Sequence, residues 1–453
     1  MKKVTALCLG LIFAGVSRVA AVSTSTALGL INDNTLFPVR PLTIQEAYRL
    51  TLKRSETLAE SKEAVRSSLA QVEQLISALM PHVSFGATQF LQESPNIPGL
   101  SFIDITNYRM ESFSASQTIF DGFRDYLAYR EGKLGVKSAR LSKARAESLL
   151  YQSVAEAYTN LLMYQRQIKI QKDTIQTMKD QVAFLKYWKR IGRARASDVL
   201  SAASQLAQFE SQLELTRGQE SASQDLMRFL TGDDARFIPE DIPLPVLTSA
   251  RQTFLDQANS REDVEAARAN LEAAKDQVSI YRRSRLPMVT AGGDYFLNNV
   301  PFSANTHYDG NFALTMPIFD GGMISGQVHQ AKASEKSAVQ ALSLAERTAR
   351  NDVNTAYDSL LWTLRAVKSL DKTVKLAAQN VEAETSDYRK GLVTNLDVLT
   401  SITTLLSDRI VLNENREQAI YAEAQLEVAA GGPSNKKEEV KAALEENSAK
   451  ENP

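Results

Sequence analysis

The chain is poor in the residues that most chemistry needs. Among 453 residues there is one cysteine, Cys8, and three histidines, His82, His307 and His329, none with a second histidine or a thiol at ligand spacing. A disulfide framework, a thiolate metal site and a histidine-based zinc site are thereby excluded. No nucleophile with its base and no pocket-like pair of carboxylates stands out, so an enzyme is not expected, nor a bound cofactor or metal. Lysine and arginine (52) balance aspartate and glutamate (53), which removes the electrostatic case for nucleic acid. Long hydrophobic runs are also missing. After the N-terminus no stretch of 18 apolar residues occurs, so any membrane crossing must be made by strands.

The N-terminus has the order of a secretory signal: Met1-Lys2-Lys3, an apolar run from Val4 to Val16, then Val19-Ala20-Ala21. Residues 1–21 are expected to be removed, taking Cys8 with them. Residues 22–41 read as an N-terminal extension.

The remainder is an internal duplication. Ile119-Phe120-Asp121-Gly122 returns 199 residues later as Ile318-Phe319-Asp320-Gly321, and the same offset carries Ala157-Tyr158 to Ala356-Tyr357, Gly192 to Gly391 and Asp198-Val199-Leu200 to Asp397-Val398-Leu399. The two copies span 42–240 and 241–432, and a charged tail follows at 433–453.

Proline and glycine are scarce inside each copy. No proline occurs from Gly122 to Phe237 or from Asp320 to Gly432, and between Gly135 and Gly218 the only glycine is Gly192. Apolar residues step by 4 and 3 (Val154, Tyr158, Leu161; Val353, Tyr357, Leu360), the 3.5-residue repeat of supercoiled helices. This predicts long helical hairpins at 122–230 and 320–430, each with two very long helices. At ~1.5 Å per residue the first helix would run about 100 Å. A shorter helix precedes Pro81 in one copy and Pro287 in the other. Beyond each proline the period drops to two, which predicts strand pairs at 82–118 and 288–317. Val289, Ala291, Tyr295 and Leu297 alternate with Thr290, Asp294 and Asn298. The strand from Thr106 to Thr118 breaks parity, Tyr108 and Met110 against Phe113 and Ala115, which suggests a bulge or a later strand start.

By alternation alone these strands fit a soluble hairpin as well as a bilayer. If they are membranous, four strands cannot close a barrel and an open edge in lipid is prohibitive, so the chain must oligomerise.

The duplicated Ile-Phe-Asp-Gly elements, Pro81 and Pro287, and the turns Gly192–Leu200 and Gly391–Leu399 resemble the TolC-type outer-membrane efflux protein family from about Leu42 to Gly432. That resemblance implies an α+β membrane protein. Three protomers would each give four strands to a 12-stranded β-barrel, continued by a long antiparallel coiled-coil tunnel through the periplasm. It further implies a passive homotrimeric duct in outer-membrane lipid, docking to a periplasmic adaptor and an inner-membrane transporter of RND, ABC or MFS type, for efflux or type I secretion. The competing expectation is a secreted trimeric coiled-coil structural protein or adhesin, without amphipathic strands.

The hairpin tips should form the periplasmic mouth. Gly192 and Gly391 suit a tight reversal by left-handed backbone, and with Arg193, Leu392 and Val393 they are candidates for adaptor docking or plain helix ends. Asp397 is placed for an acidic constriction ring or for helix capping, with Thr400 one turn on where a second acid is absent. Asp198, its repeat mate, is a constriction candidate with the stronger case for capping. Asp121-Gly122 and Asp320-Gly321 read as cap and turn at the junctions between strand and helix.

Overall fold

A computed structural model describes residues 38–91, 93 and 107–432; the expected signal, most of the extension and the charged tail lie outside these. The helical framework repeats as anticipated. Each copy has a short helix and a 22-residue helix: α1 (Ile44–Arg54) and α2 (Glu56–Ser77), then α5 (Arg251–Ala258) and α6 (Glu262–Arg283). Each then has a very long helix and a shorter return: α3 (Arg124–Arg190) and α4 (Ala196–Thr231), then α7 (Met323–Lys390) and α8 (Asn395–Ala429). Their uninterrupted length follows from the missing proline and from buried positions spaced at 3 and 4, such as Val154, Tyr158 and Leu161.

The returns are about half the length of the helices they follow, 36 residues against 67 and 35 against 68, within the expected hairpin bounds 122–230 and 320–430. Lacking proline, both end at Gly-containing turns, Gly232 closing α4 and Gly431-Gly432 following α8. The upper part of α3 packs instead against α2 and α6, and that of α7 against α6. In the lower part the order across the layer is α4, α3, α8, α7, with α3 and α8 joining the two copies.

The strands are β2 (His82–Leu91), β3 (Asn107–Phe120), β5 (Met288–Asn298) and β6 (Tyr308–Thr315). They form one antiparallel sheet in the order β2-β3-β5-β6, so β3 and β5 join the two copies. The expected bulge in β3 is absent where parity seemed to break: Tyr108 to Ala115 pair with β2 in unbroken register, and it is the apolar residues that change face. The β3–β5 register shifts between Glu111 and Ser112, where Leu297 is skipped, and again between Thr118 and Phe120. Both prolines follow their helices by a turn, α2 ending at Ser77 and α6 at Arg283.

A second, parallel sheet pairs β1 (Val39–Leu42) with β4 (Arg236–Pro239). Residues 39–41 therefore belong to the folded body and not to an extension. Tyr158, fully buried, directs its hydroxyl at the carbonyls of Leu42 (2.8 Å) and Glu240 (2.9 Å), tying α3 to the ends of both strands. Tyr158→Phe is expected to lower unfolding stability by about 1 kcal/mol, the usual net loss for one buried hydrogen bond, read as a reduced urea midpoint at an unchanged m-value.

Candidate functional site

Strand alternation gives the sheet two unlike faces. On one, Val83, Phe85, Phe113, Ala115, Val289, Ala291, Tyr295, Tyr308, Phe312 and Leu314 meet across the register. Among the described residues most of them are uncovered: Phe312 is 83% exposed, Tyr308 77% and Val83 69%, while Val289 and Ala291 are half-buried. On the other face Ser84, Ser114, Asp294 and Asp309 form one cross-strand row, and Thr118, Thr290 and Ala313 another. Burying an apolar face against lipid and a polar one around water is the pattern of a barrel wall. Among the described residues the outer strands β2 and β6 each have an unpaired edge, which a neighbouring copy can satisfy. Among the described residues no helix is long and apolar enough to cross a membrane.

At the far end of α3 and α7 the two hairpin tips meet over one apolar cluster. It contains Leu185, Val199, Tyr388 and Val398, with Ala194 and Val393 packed against it from the two turns. Gly192 (φ +74°) and Gly391 (φ +80°) take the left-handed backbone expected of them. The Arg193 amide donates to the Trp188 carbonyl (2.8 Å) and the Leu392 amide to that of Asp387 (3.0 Å), which closes each helix end. Leu392 is exposed, as is Arg193.

The capping reading of the aspartates needs refinement. Thr394 is the N-cap of α8, and Asp397 sits three residues on as the reciprocal partner. Its Oδ2 accepts from the Thr394 amide (2.8 Å) and hydroxyl (2.6 Å). These bonds, the hydroxyl first, hold the Asp397 carboxyl below the usual carboxylate range. It is therefore ionised at neutral pH as well as exposed, and Thr400 continues the same exposed face. In the first copy Asp198 Oδ2 accepts from the Arg195 amide (3.0 Å). Asp198 is half-buried, and its carbonyl accepts from Asn395 Nδ2 (3.2 Å), which links the two tips. Capping and an exposed charge thus coexist at Asp397, whereas Asp198 is half-buried and meets the other hairpin through its backbone carbonyl.

At the opposite end, Asp121 Oδ1 and Oδ2 accept from the amides of Arg124 (3.0 Å) and Asp125 (2.9 Å). Asp320 does the same for Gly322 (2.9 Å) and Ile324 (2.7 Å), and those amides, Ile324's first, lower its pKa. Both aspartates cap the long helices. Gly122 (φ +75°) lies against Leu286, where a Cβ would stand 2.9 Å from Cδ1, while Gly321 faces open space.

The tip residues that sequence reasoning missed are those in which the copies differ. Asn395, 4% exposed, replaces Ala196 of the first copy, and Tyr388 replaces Lys189. Tyr388 stacks on Trp188 (5.7 Å between ring centroids), which in turn meets Phe184 (4.6 Å). A comparison of the repeats for differences, not only for identities, would have singled them out.

The sequence matches the family described as outer membrane efflux protein over residues 47–233 and 256–432. It is 22% identical over 405 residues to the pyoverdine export outer membrane protein OpmQ of Pseudomonas putida, covering 86% of each chain. To the outer membrane protein TolC of Escherichia coli it is 21% identical over 420 residues, covering 86% of this chain and 82% of that one. Among solved structures, the outer membrane protein VceC of Vibrio cholerae superposes with a TM-score of 0.75 at 21% identity, over 86% of this chain and 96% of its own.

Proposed function

The chain belongs to the outer membrane efflux protein family, and from that premise we propose that three copies close one barrel and one tunnel whose narrow end is built from the hairpin tips. It is an outer membrane channel with its helical part in the periplasm, not a coiled-coil structural protein or adhesin. The observation that carries the trimeric reading is the four-stranded sheet with one largely uncovered apolar face and, among the described residues, two free edges, which only added copies can complete in lipid. In this reading Gly192, Arg193, Gly391, Leu392 and Val393 present the surface for a periplasmic adaptor. An inner-membrane transporter of RND, ABC or MFS type supplies the energy and selects the cargo. The threefold axis gathers the Asp397 carboxylates into a ring that attracts cations, with Thr400 beside it and Asp198 behind it.

Single-channel recording in planar bilayers tests this. The purified protein is expected to insert in discrete trimer-sized steps that a polyvalent cation blocks from the tip side. Asp397→Asn, which keeps an acceptor for Thr394 but removes the charge, should raise the half-blocking concentration about tenfold, equivalent to ~1.4 kcal/mol. Block unaltered by the substitution would leave Asp397 as a capping residue alone, and a failure to insert would remove the duct.

A further inference from the structure

The helices α3 and α8, which join the two copies, leave a groove of about 840 Å³ whose third side is the segment after β4. Its lining is basic. Arg166 and Lys169 come from α3 and Arg409 and Arg416 from α8, against the single carboxylate of Asp241. Arg166 is engaged with Glu417 and Asp241. Lys169, Arg409 and Arg416 have no ion pair among the described residues, and Lys169 and Arg416 are exposed. Between the cations the surface is apolar, with Ile170, Ile242, Leu244 and Leu412. Like charges gathered on such a surface repel one another and favour an anionic occupant. Because α3 and α8 are the inner pair in the order α4, α3, α8, α7, the groove lies away from the outer helices by which further copies would join.

The chain carries an anionic segment within reach. Its charged tail begins at Pro433, and Gly432 lies against Ser148 of α3, where a Cβ would stand 2.9 Å from the hydroxyl oxygen. Ser148 and Arg166 are eighteen helical residues apart, a distance of about 27 Å. The eight residues from Gly432 to Val440, if extended, span about 26 Å, so the residues around Val440 reach the groove. They read Glu438-Glu439-Val440-Lys441-Ala442-Ala443-Leu444-Glu445-Glu446. At helical spacing Val440, Ala443 and Leu444 share one face. Four glutamates and one lysine give this stretch a net charge of −3, and the four cations and one carboxylate of the groove give +3.

We propose that residues 438–446 of the chain's own tail seat in this groove, with Leu444 on the apolar strip and the glutamates on Lys169, Arg409 and Arg416. The seated tail ties α3 of the first copy to α8 of the second. A tether this short holds the segment at an effective concentration in the millimolar range, so weak contacts suffice to keep it in place. Contacts between exposed charges are screened, which makes the attachment sensitive to salt. The inference involves one chain only and stands whether or not three copies close a barrel.

The test uses the full chain with Leu244→Cys in the groove and Leu444→Cys in the tail; the native sequence adds no thiol beyond Cys8 in the expected signal. Mild oxidation is expected to form a disulfide within one chain. Arg409→Glu with Arg416→Glu should slow its formation at least tenfold, and adding Glu445→Lys with Glu446→Lys should restore the rate. Salt at about 1 M, where the Debye length falls to roughly 3 Å, should slow the reaction without any charge substitution, a comparison that survives if the reversed variants fold poorly. Leu215→Cys on an exposed face of α4 replaces Leu244→Cys as the control for chance encounter, and should react with the tail at least tenfold more slowly. A rate that ignores both charge reversal and salt, or one no faster than that control, overturns the docking. A bond formed mainly between chains overturns it as well, by giving the groove to a neighbouring copy's tail, and no bond at all leaves the groove to an acidic partner other than the tail.

Discussion

Arg261→Ala is expected to lower the stability of the helical body by about 3 kcal/mol, the largest loss foreseen for any single side chain here. The guanidinium is 1% exposed and reaches three elements. Nε and Nη2 donate to both carboxylate oxygens of Asp263 (2.7 and 2.8 Å) at the start of α6. Nη1 donates to Asp352 of α7 (2.9 Å) and to the Ala429 carbonyl at the end of α8 (3.3 Å). Removal strands two carboxylates and a helix-terminal carbonyl around a void. The estimate is placed at the low end for a broken buried pair for two reasons. Asp263 and Asp352 keep 34% and 38% side-chain exposure, so water takes over part of the solvation. Arg145, whose pKa is lowered by burial and then by Arg261, also loses a repulsive neighbour. Arg217→Ala, which breaks the exposed pair with Glu214, should cost under about 0.5 kcal/mol. Urea unfolding followed by helical circular dichroism separates the two, and an Arg261→Ala midpoint equal to that of Arg217→Ala would overturn the buried-network account.

Arg261 also shows where legibility ended. The hairpins, the strand pairs and both tip turns could be read because their signals are local: a proline, a lone glycine, or a period of 3.5 giving way to 2. Duplication read each of them twice. The β1–β4 pairing could not be read, because two four-residue strands about 200 residues apart have no periodicity to detect. Nor could the Arg261–Asp352 contact, since a polar residue on a helix gives no sign of which partner buries it. At the candidate site, Asp397 was identified by its offset from Asp198; both carboxylates accept from their N-cap amide, and Thr394 adds a hydroxyl bond that Arg195 cannot make. Sequence gave the positions and tertiary contact decided their exposure.

Glu417 should make the stability of the protein fall as pH rises from about 4.5 through 7. Its side chain is 3% exposed, between α3 and α8, beneath the segment that follows β4. Burial pushes its carboxyl up to about 7 from an ordinary 4.5; Arg166 opposes the shift, Asp241 adds to it and Arg416 opposes it. Arg166 is shared, with Nη1 on Glu417 and Nη2 on Asp241 (2.7 Å), while Glu417 Oε2 has no hydrogen-bond partner. A folded-state pKa above the unfolded one means that the native protein holds the extra proton between those values. Stability from this group is therefore fully present below pH ~4.5 and is lost through pH ~7, by about 3 kcal/mol on full ionisation. Glu417→Gln keeps an acceptor for Arg166 and cannot ionise, so its stability at pH 8 relative to pH 5 should exceed the wild-type ratio by most of that amount. Asp241→Asn removes a neighbouring negative charge and should move the wild-type fall to lower pH. Superimposable wild-type and Glu417→Gln profiles would mean that Arg166 and Arg416 already hold the carboxylate ionised, and that its burial costs the channel nothing at neutral pH.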